Sequence, residues 1–172
     1  MAVLEGDFHC AINKVVHNLC GIEHLYEDQI TILRHLVNQN NVFYTSPTNS
    51  GKTLPPVILP EILKELNKLS YSFPEDPKVL FVTALNSIQS SLVSNLTDMG
   101  IQCGVITRSN AEQLLSSHVS VLFVGPEVMR NSTVIQTLML HRTSFVCKIV
   151  DEAHLGTIDW KNFWNILIVE SE

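Results

Sequence analysis

The chain has 172 residues, of which 45% are hydrophobic and 16% are charged, so it is too apolar to be disordered and long enough to bury one core. Its formal net charge of −6 excludes a protein that holds nucleic acid mainly by bulk positive charge. The four cysteines show no CxxC pair and no metal-binding spacing, and no basic-then-apolar leader opens the sequence. We therefore expect a reduced, intracellular protein.

Apolar residues at helical spacing predict a first helix over residues 8–19 and a second over 27–37. A buried strand is predicted over 42–45, followed by a loop and a helix from about 51 to 69. Pro55 and Pro56 are tolerated in the first turn of that helix, whereas Pro60 is expected to kink it.

Short β-branched and apolar runs predict four further strands, over 78–82, 103–106, 119–124 and 145–150. Helices are predicted between them over 86–99, 110–115, where Asn110 is the expected cap, and 132–140. This alternation predicts an α/β fold of three layers, with a mainly parallel sheet covered by helices on both faces.

The sequence Ser-Pro-Thr-Asn-Ser-Gly-Lys-Thr follows a predicted strand and opens a predicted helix, which is the context of a phosphate-binding loop. Unpaired N–H groups at a helix N-terminus attract an anion, and glycine lets the backbone approach phosphate oxygens. The lysine adds a charge that reaches the β- and γ-phosphates, and the threonine hydroxyl suits Mg²⁺. The predicted nucleotide-binding residues are Ser46, Pro47, Thr48, Asn49, Ser50, Gly51, Lys52 and Thr53.

The strict pattern G-x-x-x-x-G-K-[ST] is not met, because Ser46 stands at the position of the first glycine. Asn49 tolerates positive φ better than most residues, so the loop can still close there. The alternative is a chance Gly-Lys-Thr at the start of a helix.

A second motif, Asp-Glu-Ala-His, follows the strand predicted over 145–150. Asp151 at the tip of that strand can hold Mg²⁺, and Glu152 can orient and deprotonate an attacking water. His154 could couple the nucleotide site to a partner domain. The alternative is a solvated helix start, where acidic residues are favoured.

Together, the Gly-Lys-Thr and Asp-Glu-Ala-His motifs resemble those of superfamily 2 helicases, and residues 13–63 resemble the start of RecQ-family DNA helicases. The resemblance implies a RecA-like lobe of the P-loop NTPase class that binds ATP and Mg²⁺. Gln29 matches the family's adenine-recognising glutamine, and Tyr26 could stack on the base. The alternative for Gln29 is an ordinary surface position on a helix.

Three segments resemble those with which the family contacts DNA. Thr83, Asn86 and Ser87 could donate to phosphates, although such residues also cap helices. Pro126 and Glu127 resemble the family's Thr/Ser-Pro-Glu, and proline is also common at a helix start. Trp160 lies in the aromatic-rich segment after His154, where its i, i+3, i+4 spacing with two further aromatics favours core packing over base stacking.

The resemblance indicates an N-terminal helical region, 1–41, and a partial RecA-like lobe, 42–172, with the second lobe absent. Three functions stay open: the ATP-binding lobe of a 3′-to-5′ DNA helicase, a non-motor module that binds nucleotide or nucleic acid and regulates a partner, and a lobe of an RNA helicase. The partners implied for the first are single-stranded or tailed duplex DNA and a second RecA-like lobe. The family resemblance also suggests the nucleus.

Overall fold

The structure is a computed structural model that describes residues 3–20, 23–45, 51–83 and 88–150. In chain order the elements are α1 (Glu5–Val15), which continues into a π-helical turn (Val16–Cys20), α2 (Glu27–Val37), α3 (Leu54–Asn67), β1 (Lys78–Val82), α4 (Ile88–Asp98), β2 (Cys103–Ile106), α5 (Ala111–Leu115), β3 (Val121–Val124), α6 (Ser132–Leu140), a 3-10 turn (Arg142–Ser144) and β4 (Phe145–Val150).

The four strands form one parallel sheet in the order β2-β3-β1-β4. Their last residues are in register across the sheet, because Ile106 pairs with Val124, Val124 with Val82, and Val82 with Val150. The loops that follow the four strands therefore leave the sheet at one level of its carboxyl edge.

Side chains alternate between two apolar cores, one on each face of the sheet. Val79 and Phe81 of β1 face a core built with α1, α3 and α4, whereas Leu80 and Val82 face a core built with α5 and α6. The rings of Phe81 and Phe123 stack with 5.2 Å between their centroids. The predicted three-layer α/β fold with a parallel sheet is confirmed.

Most predicted boundaries agree with the structure, since the elements over 27–37, 78–82, 103–106, 132–140 and 145–150 are found with the bounds expected. The first helix begins earlier than predicted, at Glu5, and changes to π geometry after Val15. Strand β3 begins two residues later than expected. No helix among the described residues is long and apolar enough to span a membrane.

The strand predicted over 42–45 is wrong, because the structure assigns no strand to these residues and they are not part of the four-stranded sheet formed by the described residues. Phe43 is 91% exposed, and Tyr44 instead donates a hydrogen bond from its hydroxyl to the Asp28 carboxylate on α2. A β-branched and aromatic run favours an extended backbone, but a strand also needs a partner strand, which the run itself cannot specify.

The helix expected from residue 51 begins at Leu54, and it continues through Pro60 to Asn67. Pro55 and Pro56 occupy its first turn, as predicted. Ten residues, 68–77, connect the end of α3 to the start of β1 at the amino edge of the sheet, and α3 packs on the face of the sheet that Val79 and Phe81 line.

At the amino edge, the Lys78 side chain is fully buried and its ammonium is saturated. Its Nζ donates to Asp76 Oδ2 at 2.7 Å and to the carbonyls of Ser117 at 2.6 Å and Val119 at 3.0 Å. The lysine thus ties the start of β1 to the segment that enters β3, as a buried ammonium requires.

Candidate nucleotide site and carboxyl edge of the sheet

Gln29 lies in the first turn of α2 with 3% of its surface exposed, so its interpretation as a surface residue is wrong. Its Oε1 accepts from the Tyr26 backbone N–H at 3.0 Å. Its Nε2 donates to the Gly51 carbonyl at 3.1 Å, across 22 residues of sequence. The amide therefore connects α2 to the end of the predicted phosphate loop.

Two features of the backbone at Gly51 disfavour any residue with a side chain. Its φ of +73° lies in the left-handed region, and an added Cβ would stand 2.7 Å from Gln29 Nε2. Its carbonyl also accepts from the Leu54 N–H at 3.0 Å. The backbone at Gly51 is held from both sides, by α2 and by the start of α3.

The N-terminus of α3 offers an anion fewer donors than the sequence suggested. Leu54 already donates to Gly51, and Pro55 and Pro56 have no N–H. The described donors at this end are the N–H groups of Gly51, Lys52 and Thr53, together with the Lys52 ammonium. Lys52 is half-buried and has no ion pair or hydrogen bond with any described residue. Residues 46–50 of the loop lie outside the described residues.

Tyr26 stands at the N-cap of α2, three residues before Gln29, with 71% of its surface exposed. An exposed ring beside a buried amide offers a flat apolar surface to a ligand that the amide contacts. Tyr26 and Gln29 stand at the start of α2, and Gly51 and Lys52 stand just before the start of α3. The hydrogen bond between Gln29 and Gly51 joins these two helix N-termini.

The acidic motif enters from β4, which ends at Val150 in register with Val82 of β1. Asp151 is the next residue in the sequence after Val150, but Asp151, Glu152 and His154 lie outside the described residues. Within β4, burial raises the pKa of Cys147 to about 12, so this thiol stays neutral and acts as a core side chain. Burial lowers the pKa of the neighbouring Lys148.

The predicted nucleic-acid contacts that the structure describes differ in exposure. Thr83 is 5% exposed, and its N–H donates to the Val124 carbonyl at 3.2 Å. Pro126 is half-buried and Glu127 is exposed. Both lie in a turn closed on the Gly125 carbonyl, and not at a helix start as expected. The remaining predicted contacts lie outside the described residues: Asn86, Ser87 and Trp160.

The turn that follows β2 differs from the predicted helix cap. Asn110 occupies the N-cap position of α5, but its side chain does not cap the helix. Its Oδ1 accepts from the Thr107 N–H at 2.7 Å and its Nδ2 donates to the Val105 carbonyl at 3.0 Å. The turn exposes Thr107, Arg108 and Ser109.

Comparison with curated proteins finds no match. The sequence does match the family described as DEAD/DEAH box helicase, over residues 26–163. The matched range includes Gln29, the predicted phosphate loop, the four strands of the described residues and the Asp-Glu-Ala-His sequence. A parallel α/β lobe with a glycine-lysine-threonine loop before its first described strand agrees with it. On this match, which covers most of its length, the chain belongs to the DEAD/DEAH box helicase family.

Proposed function

We propose that the chain is the ATP-binding lobe of a RecQ-like, ATP-dependent 3′-to-5′ DNA helicase, which binds Mg·ATP and single-stranded DNA and works in the nucleus. Membership of the helicase family supports an ATP-binding helicase lobe. The observation that carries the proposal is the Gln29–Gly51 hydrogen bond, because it puts the family's base-reading position directly against the phosphate loop.

On the phosphate side, the described residues fit a nucleoside triphosphate. Gly51 keeps a close backbone approach open, and the Lys52 ammonium is the one described side-chain cation of the loop. We assign Lys52 to the β- and γ-phosphates, and Thr53 and Asp151 to Mg²⁺, which neutralises charge on the phosphates when bound. Glu152 is assigned the general-base role toward water.

On the base side, the unused hydrogen-bonding capacity of Gln29 fits adenine. An amide has two N–H donors and two acceptor lone pairs, and Gln29 spends one of each on Gly51 and Tyr26. Among its bonds to described residues this leaves one donor and one acceptor, which match N7 and the N6 amino group of adenine. We assign the exposed Tyr26 ring to stacking on the base.

A second candidate is a non-catalytic module that binds nucleotide or nucleic acid and regulates a partner. The shortage of N–H donors at α3 favours it, since Pro55 and Pro56 weaken the phosphate attraction of this helix end. A lobe of an RNA helicase would use the same loop and the same acidic motif, so the choice of DNA over RNA follows only from the RecQ resemblance.

The phosphate-loop assignment predicts that Lys52→Ala weakens Mg·ATP binding at least tenfold, because it removes the charge assigned to two phosphates. The measurement is a titration of a fluorescent ATP analogue against the 172-residue chain. Lys68→Ala is the matched control, since Lys68 is exposed at the opposite end of α3 and pairs with Glu65. Equal affinities for wild type and Lys52→Ala would refute the assignment.

The adenine assignment predicts that Gln29→Ala and Gln29→Glu reduce the preference for ATP over GTP by about 1–3 kcal/mol. Both variants also break the bond to Gly51, but that loss acts on the phosphate end, which ATP and GTP share. The ratio of the two affinities therefore isolates base reading from loop positioning. If both affinities fall equally, Gln29 holds the loop and does not read the base.

A further inference from the structure

The first turn of α2 contacts the chain near both ends of the predicted phosphate loop, and the assignments above use only one of these contacts. Gln29 donates to Gly51 near the exit of the loop, and Asp28 accepts from Tyr44 just before its entry. We infer that Asp28 and Tyr44 are positioning residues for the phosphate side of the nucleotide site, because their hydrogen bond fixes where the chain enters the loop. The inference rests on the ATP binding of the proposed function, and it adds two residues to which neither sequence motif assigns a role.

The Asp28 carboxylate is held by its own helix, so the acceptor that it offers to Tyr44 has a fixed direction. Asp28 is the second residue of α2, where the positive end of the helix dipole favours a carboxylate. Its Oδ1 accepts from the Gln29 backbone N–H at 2.9 Å, and its Oδ2 accepts from the Tyr44 hydroxyl. Both oxygens are thus engaged, one within α2 and one toward residues 42–45.

The Tyr44 hydroxyl joins residues 42–45 to α2. Between residues that the structure describes, no other hydrogen bond ties this segment to another element. Tyr44 is half-buried, whereas Val42, Phe43 and Thr45 are exposed. Because neither the described sheet nor burial holds its neighbours, the position of this segment depends on Tyr44.

The two contacts with the loop come from consecutive residues of one helical turn. Tyr44 and Gly51 are separated by six residues, 45–50, and each is bonded to its own residue of that turn. The helix therefore sets the distance between the ends of this stretch. A stretch of chain whose ends are fixed loses less conformational freedom when it closes on an anion, so both contacts raise the affinity for phosphate groups.

The charge of Asp28 separates a positioning role from a direct effect on the ligand. A carboxylate repels phosphate groups, so the loss of its charge alone would strengthen ATP binding. The loss of its hydrogen bond to Tyr44 acts in the opposite direction. Tyr44→Phe changes no charge and leaves the bond between Asp28 and the Gln29 N–H in place, so it removes the tether alone.

The test measures the Kd of Mg·ATP and of AMP for the 172-residue chain, by displacement of a fluorescent ATP analogue. Tyr44→Phe is expected to raise the Kd of Mg·ATP about three- to tenfold. It is expected to leave the Kd of AMP unchanged, because AMP carries the same base but lacks the β- and γ-phosphates. Asp28→Ala is also expected to raise the Kd of Mg·ATP, and Tyr44→Phe in that background adds nothing further, since both changes remove the same bond.

Tyr71→Phe is the matched control, because it also removes a tyrosine hydroxyl that donates to an aspartate, in this case Asp7 Oδ2 at 2.8 Å. Tyr71 follows the end of α3, whereas Lys52 precedes its start, and the 14 residues of this helix span about 21 Å. The control is expected to leave both Kd values unchanged.

Three outcomes would overturn the inference while wild type binds Mg·ATP and Lys52→Ala weakens that binding: an unchanged Kd of Mg·ATP for Tyr44→Phe, an equal rise for Tyr71→Phe, or an equal rise for AMP and Mg·ATP in Tyr44→Phe. The last outcome would mark a general loss of structure around α2, which thermal unfolding of the variant reports independently. Failure of wild type to bind Mg·ATP, or wild-type affinity in Lys52→Ala, would instead refute the phosphate-loop assignment, and the inference with it.

Discussion

Replacing Glu152 by glutamine is expected to abolish ATP hydrolysis while leaving Mg·ATP binding nearly intact. The substitution keeps the size and hydrogen-bonding reach of the side chain and removes only its capacity to take a proton from water. Loss of a general base typically lowers a rate by about 10²–10⁴-fold. The readout is phosphate release in a two-lobe form of the protein that hydrolyses ATP, beside an ATP-binding titration.

Asp151→Asn is the control that separates the two neighbouring carboxylates. It removes a negative charge from the position assigned to Mg²⁺, so Mg²⁺-dependent ATP binding should weaken, whereas Glu152→Gln should leave it unchanged. Wild-type turnover in Glu152→Gln would show that another group takes the proton.

The 172-residue chain alone is expected not to unwind DNA. The residues assigned to ATP, Gln29, Lys52, Thr53, Asp151 and Glu152, all come from one lobe, and no residue of a facing lobe is among them. Strand movement in such motors needs two lobes that close on one nucleotide. An arginine supplied from a facing surface is worth about 10³–10⁵ in rate where related NTPases have been studied.

The assay is strand displacement on a 3′-tailed duplex with ATP, at low salt because the net charge of −6 weakens the hold on DNA. Lys52→Ala serves as the control for contaminating activity. ATP-dependent displacement by the purified chain, lost in Lys52→Ala, would show that a single lobe suffices. A 5′-tailed duplex in the same assay, carried out with a two-lobe form, tests the proposed polarity.

Features set by local sequence were predicted with little error. Strand β1 is an apolar run after Lys78 and is buried on both faces of the sheet, as a parallel strand requires, and the bounds of both β1 and β4 agree with the structure. Residues 42–45 carry a similar run but form no strand, because pairing depends on which neighbour the fold supplies. Composition alone does not contain that information.

The candidate site shows the same division between local and long-range causes. The sequence correctly predicts that Pro55 and Pro56 lie in the first turn of α3. It does not predict the hydrogen bond that the Leu54 N–H donates to the Gly51 carbonyl. Gln29 is buried against Gly51, a partner 22 residues away in the sequence. The residues next to Gln29 in the sequence would look the same if its side chain lay on an exposed helix surface.

The strand order has a consequence for how the chain is made on the ribosome. Strand β1 lies in the interior of the described sheet, yet both of its neighbours, β3 and β4, are translated after it. Until Val150 has emerged, the backbone of β1 lacks at least one of its two ladders, while helices α1 to α3 can already cover its first face. Pairing strands that are distant in sequence also closes large loops, which slows folding. The nascent lobe therefore passes through a stage in which an apolar strand is covered on one side and unpaired on another, the kind of intermediate that chaperones bind.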